Sequence, residues 1–158
     1  MKIIGIDPGT GILGFGVIDV AKAKTSMVDA GVIRTKAHQP LDERLAEIYT
    51  SLCEIIAENK PKIMVVERLF FAQNVTTAIS VSHARGVAML AGKLAGLEIV
   101  EYTPLQIKQA LTGYGRADKK QMQEMVRVLL GLKDVPQPDD CADALAAALM
   151  HATALRVQ

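Results

Sequence analysis

The sequence is poor in the features that mark several protein classes. It has two cysteines, Cys53 and Cys141, too few for a disulfide framework. A reducing, cytoplasmic setting is therefore expected, and both thiols read as small core residues. No apolar run approaches the roughly 18–20 residues that a membrane-spanning helix needs. Asp7 and Pro8 interrupt the one apolar stretch near the start, so no signal peptide is expected. The three histidines, His38, His83 and His151, are scattered and read as surface or helix-packing residues. No cysteine pair has ligand spacing, which argues against zinc. No Ser-His-Asp spacing is legible. Repeats, low-complexity tracts and long linkers are also missing. At 158 residues, half of them hydrophobic, the chain is sized for one globular domain, 1–158, with a proper core.

Charge of one sign is lacking too, since the net formal charge is only +1. The balance is uneven, however. Lys108, Arg116, Lys119, Lys120, Arg127 and Lys133 face only Asp118 and Glu124 between residues 105 and 133. Such a patch is compatible with phosphate binding, although charge runs are usually solvated faces.

What the chain does have is an organising stretch, Lys2 to Val20, KIIGIDPGTGILGFGVIDV. Ile3, Ile4 and Ile6 carry Asp7 to the end of an apolar run. Pro8 and Gly9 turn the chain, and Leu13 to Val20 reads as the returning strand. Asp-Pro-Gly is also a plain turn signal, and that reading stays open. Gly9, Gly11 and Gly14 spell a dinucleotide fingerprint, with Asp29 about where a ribose-binding acid would stand. That fingerprint needs a helix to open on the glycines, and Val17, Ile18 and Val20 are strand material instead.

Beyond the hairpin, Thr25 to Arg34 reads as a third strand. Leu41, Leu45, Ile48, Leu52, Ile55 and Ile56 step by three and four, which predicts an amphipathic helix stopped by Asn59 and Pro61. Lys62 to Glu67 is a buried-type strand that ends in a second carboxylate. Asn74 to Gly96 predicts a helix capped by Asn74 and apolar on nearly all sides. Such a helix needs cover on more than one side, from the sheet and from either an intramolecular helix or a partner subunit. Gly86 and Gly92 within it suggest close backbone packing. Leu97 to Thr103 predicts a fifth strand and Pro104 to Ala110 a short helix. Thr112 to Ala117 reads as a flexible loop, and Asp118 as the cap of a helix to Leu130. The last helix runs from Asp139 to Leu155. The order predicts an α/β fold, with an antiparallel meander joined to parallel strands and helices on both faces.

Asp7 and Glu67 each close a predicted strand, and they share one sheet edge if those strands are neighbours. Asp140 and Asp143 lie three apart on one helix face. Asp139 and Asp140 also suit simple capping of that helix. Asp143 precedes an apolar run, where a lone carboxylate is costly unless paired or metal-bound. Four acids in one place repel and need a cation. Magnesium suits hard oxygen ligands, and paired ions suit in-line attack on a phosphodiester.

Several segments in order, GIDPGTGILGFGVI, VVERLFFAQN, SHARGVAMLAG, TPLQIKQALTGYGRADKKQMQ and PDDCADALAAAL, resemble the RuvC family of Holliday junction resolvases. The likeness spans essentially the whole chain. It implies an RNase H-like five-stranded mixed sheet and catalytic, metal-binding acids at Asp7, Glu67, Asp140 and Asp143, with Asp139 as the rival to Asp140. Two Mg2+ ions per site are implied, with Mn2+ as a substitute. Phe70 would stack on a base at the crossover, while Phe71 reads as core. Lys108 and Lys119 would stand near the scissile phosphate, with Arg116 and Lys120 on the backbone. The resemblance further implies a homodimer that nicks a four-way DNA junction symmetrically in strands of like polarity, in recombination and repair. RuvA and RuvB, the branch-migration proteins, are implied partners. Alternatives are an RNase H-like nuclease acting on RNA, an actin-like or sugar-kinase ATPase, and a non-catalytic junction binder. The ATPases need two such domains, and this chain supplies one.

Overall fold

The computed structural model describes residues 1–22, 24–68 and 75–157. Strands β1 (Lys2–Asp7), β2 (Ile12–Val20) and β3 (Thr25–Arg34) form the expected meander. Helix α1 (Leu41–Asn59) leads to β4 (Ile63–Glu67), and α2 (Val75–Leu94) leads to β5 (Glu98–Tyr102). Three helices follow: α3 (Pro104–Thr112), α4 (Lys119–Leu130) and α5 (Asp139–Val157). The sheet order is β3-β2-β1-β4-β5, with β1, β4 and β5 parallel. The mixed α/β sheet is thus as predicted, and the first and fourth strands are neighbours.

Strand alternation divides the core into two layers. Ile4, Ile6, Leu13, Phe15, Val17, Met64 and Val66 point to the face covered by α1 and α2. Ile3, Ile18, Ile63 and Val65 point to the opposite face, covered by α5. Helices α3 and α4 close over the outer side of α5 through Ile107, Leu111, Met122 and Val126. Helix α5 is therefore a middle layer, buried on nearly every side. That is why it reads as an Ala- and Leu-rich helix with almost no polar face.

Helix α5 reaches the sheet over a strip of glycines. Gly5 of β1 stands opposite Gly16 of β2, and Gly14 stands opposite Asp7. A Cβ at Gly5 would lie 1.9 Å from the Ala144 carbonyl oxygen. At Gly14 it would lie 2.2 Å from the carbonyl oxygen of Asp140, and at Gly16 2.6 Å from the Leu145 side chain. The backbones meet there with no room for a side chain.

Local differences from the sequence reading have simple causes. The residue expected to cap α2, Asn74, lies outside the described residues. The helix ends at Leu94 because Gly96 adopts a left-handed conformation, φ 81°. Gly92 does pack closely, 2.8 Å from the Met64 sulfur on an added Cβ, but Gly86 faces open space. Helix α3 runs on to Thr112 and is closed by Gly113 at φ 70°. Asp118 caps α4 as predicted, accepting from the Gln121 N–H, and its own N–H donates to Gln121 Oε1 to complete a capping box. Cys141 is buried, whereas Cys53 is only half-buried.

The glycine strip yields a stability prediction. Gly5→Ala forces backbone against backbone and should cost about 3 kcal/mol or more in urea denaturation. Gly11→Ala, where the nearest atom to a Cβ is the Arg44 guanidinium at 3.5 Å, should stay within about 0.5 kcal/mol of the parent.

Candidate active site

The same alternation that sorts the core also aims the acids. Asp7 continues the series Ile3, Gly5, and Glu67 continues Ile63, Val65, so both carboxylates emerge on the α5 face. The parallel register, Ile6 beside Val66, sets them side by side at the ends of β1 and β4. Helix α5 brings the other two. Its Asp140 backbone is pressed on Gly14, the partner of Asp7. Asp143 lies one turn further, three residues along the same face.

The acids lie near enough to feel one another's charge. Burial raises the Asp7 carboxyl to about 7, with help from Asp143, then Glu67, then Asp140, and against Lys119. Glu67 is raised by burial and by Asp143, while Lys108 opposes the shift. Asp143 is raised by burial, opposed by Lys119 and pushed further by Asp139 and Asp140. Three acids thus resist ionisation, first because each is partly desolvated and then because each has at least one other carboxylate nearby.

Lys119 partly offsets this charge. Its ammonium lies 3.1 Å from Asp139 and 3.4 Å from Asp143. A cavity of about 290 Å³ opens here, lined by Glu67, Lys108, Lys119, Met122 and Asp143 among others. Among the described residues, no three acid, histidine or cysteine side chains converge closely enough in this conformation to hold an ion. Of the two neighbours Asp139 and Asp140, the first is engaged by the lysine and the second adds to the charge on Asp7, after Asp143 and Glu67. Arg116 and Lys120 are exposed on the α3–α4 turn and the first turn of α4. Phe70 and Phe71 lie outside the described residues.

Several supports were not anticipated from the sequence. Thr10, just past the Asp7 turn, is buried and bonds the carbonyl and hydroxyl of Ser80 on α2 at 2.7 and 2.6 Å. Thr35 donates to the Thr10 carbonyl at 2.6 Å, and Arg44 donates to Thr35 at 2.8 Å. Arg85 of α2 donates to the Glu67 carbonyl at 3.0 Å and pairs with Glu101. On the other face, Tyr102 beside Glu67 meets His151 Nδ1 at 2.8 Å. His151 is buried, which lowers its pKa, and it serves in helix packing. An arginine within an otherwise apolar helix was the available signal for Arg85.

The family model described as crossover junction endodeoxyribonuclease RuvC matches residues 3–151. The chain belongs to the RuvC family. A RuvC from Desulfitobacterium hafniense is 55% identical over 152 residues, 96% of this chain and 92% of that protein. Thermus thermophilus RuvC superposes with a TM-score of 0.92 at 38% identity, covering 99% of this chain and 96% of that one. The same protein solved in complex with a Holliday junction substrate gives 0.90 at 37% identity, with the same coverage. The yeast mitochondrial Holliday junction resolvase Ydc2, at 16% identity and a TM-score of 0.66 over 96% of this chain and 78% of that one, shares the fold. Within the RuvC family, then, this chain places its acids on a resolvase scaffold.

The raised Asp7 pKa carries a sign. The folded value of about 7 exceeds the ordinary 3.8, so the folded state holds more protons in that window. Without divalent metal, stability should fall as pH rises from about 4 through 7. Asp7→Asn should remove the penalty, on the order of 4 kcal/mol at pH 8 and vanishing near pH 4. Urea denaturation of both proteins in chelator across that range measures the difference.

Proposed function

We propose that this chain resolves four-way DNA junctions by paired hydrolytic nicks in strands of like polarity, within one nuclease domain spanning residues 1–158. Asp7, Glu67, Asp140 and Asp143 are its catalytic and metal-holding acids. The observation that carries the reading is the placement of Asp7 and Glu67 side by side on the sheet face that α5 covers with Asp140 and Asp143, where burial first and neighbouring acids second raise the carboxyls of Asp7, Glu67 and Asp143. Stability alone gives no reason to gather buried like charges, whereas bound cations do. Membership of the RuvC family supplies the substrate.

The donor set fits magnesium, with manganese as a substitute, because the ligands are hard carboxylate oxygens. Two ions held there would supply a water of lowered pKa and neutralise charge growing on the phosphate. The chain's own residues do the rest. Asp7 and Glu67 hold from the rigid sheet, and Asp140 and Asp143 hold from α5. Lys119, half-exposed and paired with Asp139 and Asp143, would turn to the scissile phosphate if cations took up the charge of those acids. Lys108, on the cavity wall, meets the same phosphate. Arg116 and Lys120 contact the backbone and add salt-sensitive affinity with little sequence information. Phe70 stacks on a base at the crossover.

A homodimer suits a junction with two-fold symmetry. Its support is the outer face of α2, where Ile79, Leu90 and Leu94 are 53%, 53% and 68% exposed. These residues fall on one stripe with the open Gly86. RuvA and RuvB are the proposed branch-migration partners. Two unpaired thiols suit a cytoplasmic setting.

Asp7→Asn and Glu67→Gln should keep junction binding and lose cleavage by at least ~100-fold, in line with several kcal/mol of lost charge stabilisation. A magnesium-dependent assay on four-way DNA, linear duplex and RNA–DNA hybrid measures this. Cleavage by either variant at the parental rate refutes the site. Preferential cutting of the hybrid favours the RNA-directed alternative. Leu90→Asp should convert the dimer to monomer in sedimentation, because a desolvated carboxylate at an apolar contact is costly.

A further inference from the structure

The turn between α3 and α4 holds an aromatic side chain that the catalytic reading does not use. Tyr114 is 56% exposed, and the neighbouring Leu105 is 55% exposed. An exposed aromatic on a loose loop would carry little meaning, but this turn is braced. Thr112 Oγ1 accepts the Tyr114 N–H at 3.1 Å and lies 2.8 and 2.9 Å from the Lys108 and Tyr114 carbonyls, between which it shares its proton. The Ala117 N–H donates to the Tyr114 carbonyl at 3.2 Å. Gly113 closes α3 in the left-handed region, and a Cβ at Gly115 would lie 2.6 Å from Leu105. The backbone carrying Tyr114 is therefore tied to Lys108, a residue of the acid-lined cavity.

Beside this turn is a groove of about 470 Å³ walled by Tyr114, Ala117, Lys120 and Met125. Its lining is mainly apolar, with Lys120 as its one cation among the described residues and Arg116 nearby on the same turn. Glu124 also borders it, but that carboxylate is gripped by Arg127. Asp118 is spent on capping α4. Among the described residues, no acid lies within ion-pair distance of Arg116 or Lys120. A ligand that suits the groove must present an apolar ring face between anionic groups. DNA backbone has that alternation, deoxyribose between phosphates.

We infer that this groove seats the sugar–phosphate backbone of a junction arm beside the cut site, with the Tyr114 ring packed on a deoxyribose and Lys120 and Arg116 on the flanking phosphates. The inference rests on the junction-cleaving reading and adds a contact that fixes how the arm enters the site. Tyr114 is a positioning residue there, since it touches the arm rather than the reacting atoms.

The chain contains no tryptophan, so Tyr114→Trp installs a single reporter at the groove. With the full-length protein in chelator, its emission should change on binding a four-way junction. Tyr114→Ala should bind the junction roughly 5- to 20-fold more weakly, the scale of losing one aromatic contact to nucleic acid. Its dependence on salt should match that of the parent, because no charge is removed, while Lys120→Ala should lower the salt slope by about one. Tyr114→Phe should keep most of the affinity. Unchanged Tyr114→Trp emission on a junction that the parent binds overturns the inference alone. So does Tyr114→Ala binding within twofold of the parent. A parent protein that binds no junction removes the inference together with the reading beneath it.

Discussion

The backbone contact between α5 and the glycine strip of β1 and β2 governs the molecule. Two acids of the site come from the sheet and two from α5, so their separation is set by how closely that helix can lie. Gly5, Gly14 and Gly16 remove the side chains that would hold the layers apart. The cost is chain entropy and lost side-chain burial in two central strands. The gain is a short, rigid path from the Asp7 strand to the Asp140 turn. Helices α3 and α4 then cover the outer side of α5, and in doing so deliver Lys108 and Lys119 to the same cavity.

The acid cluster runs against the stability of the protein that holds it. Burial and like charge both push Asp7, Glu67 and Asp143 toward protonation. Lys119 relieves part of the strain from the edge of the cluster, where it is half-exposed and pairs with Asp139 and Asp143. Rigid supports hold the rest in place. Thr10 pins the Asp7 turn to α2, Arg85 pins the end of β4 from one face, and the Tyr102–His151 pair ties β5 to α5 on the other. A repelling arrangement persists because these neutral and paired contacts over-determine it.

Much of this was legible in the sequence, for reasons that differ by element. Asp7 and Glu67 stood at the ends of apolar strand runs, and a period of two fixes which face a strand-end residue takes. Asp140 and Asp143 stood three apart at a helix start, which fixes a shared face. What periodicity does not encode is which strands are neighbours, and the meeting of Asp7 with Glu67 depends on β1 pairing with β4. The glycines of β2 read as strand rather than as a nucleotide loop because of Val17 and Ile18, yet their use as a landing for α5 needed the third dimension. Thr10 acts through a carbonyl and a hydroxyl far away in sequence, so nothing local announced it, whereas Arg85 showed only as a charge in a mostly apolar helix, with its partners hidden. Gly86 and Gly92 looked alike along α2, but one meets Met64 and the other faces open space.

Alternation along β1 has a consequence for how this strand can change over generations. Exchange of one aliphatic residue for another at Ile4 or Ile6 leaves Asp7 aimed as before. Insertion or loss of a single residue between Ile3 and Asp7 does not, because it turns every later side chain over. The carboxylate would then enter the layer of Phe15 and Met64, and an isoleucine would replace it among the acids. The strand can therefore drift in composition but not in length.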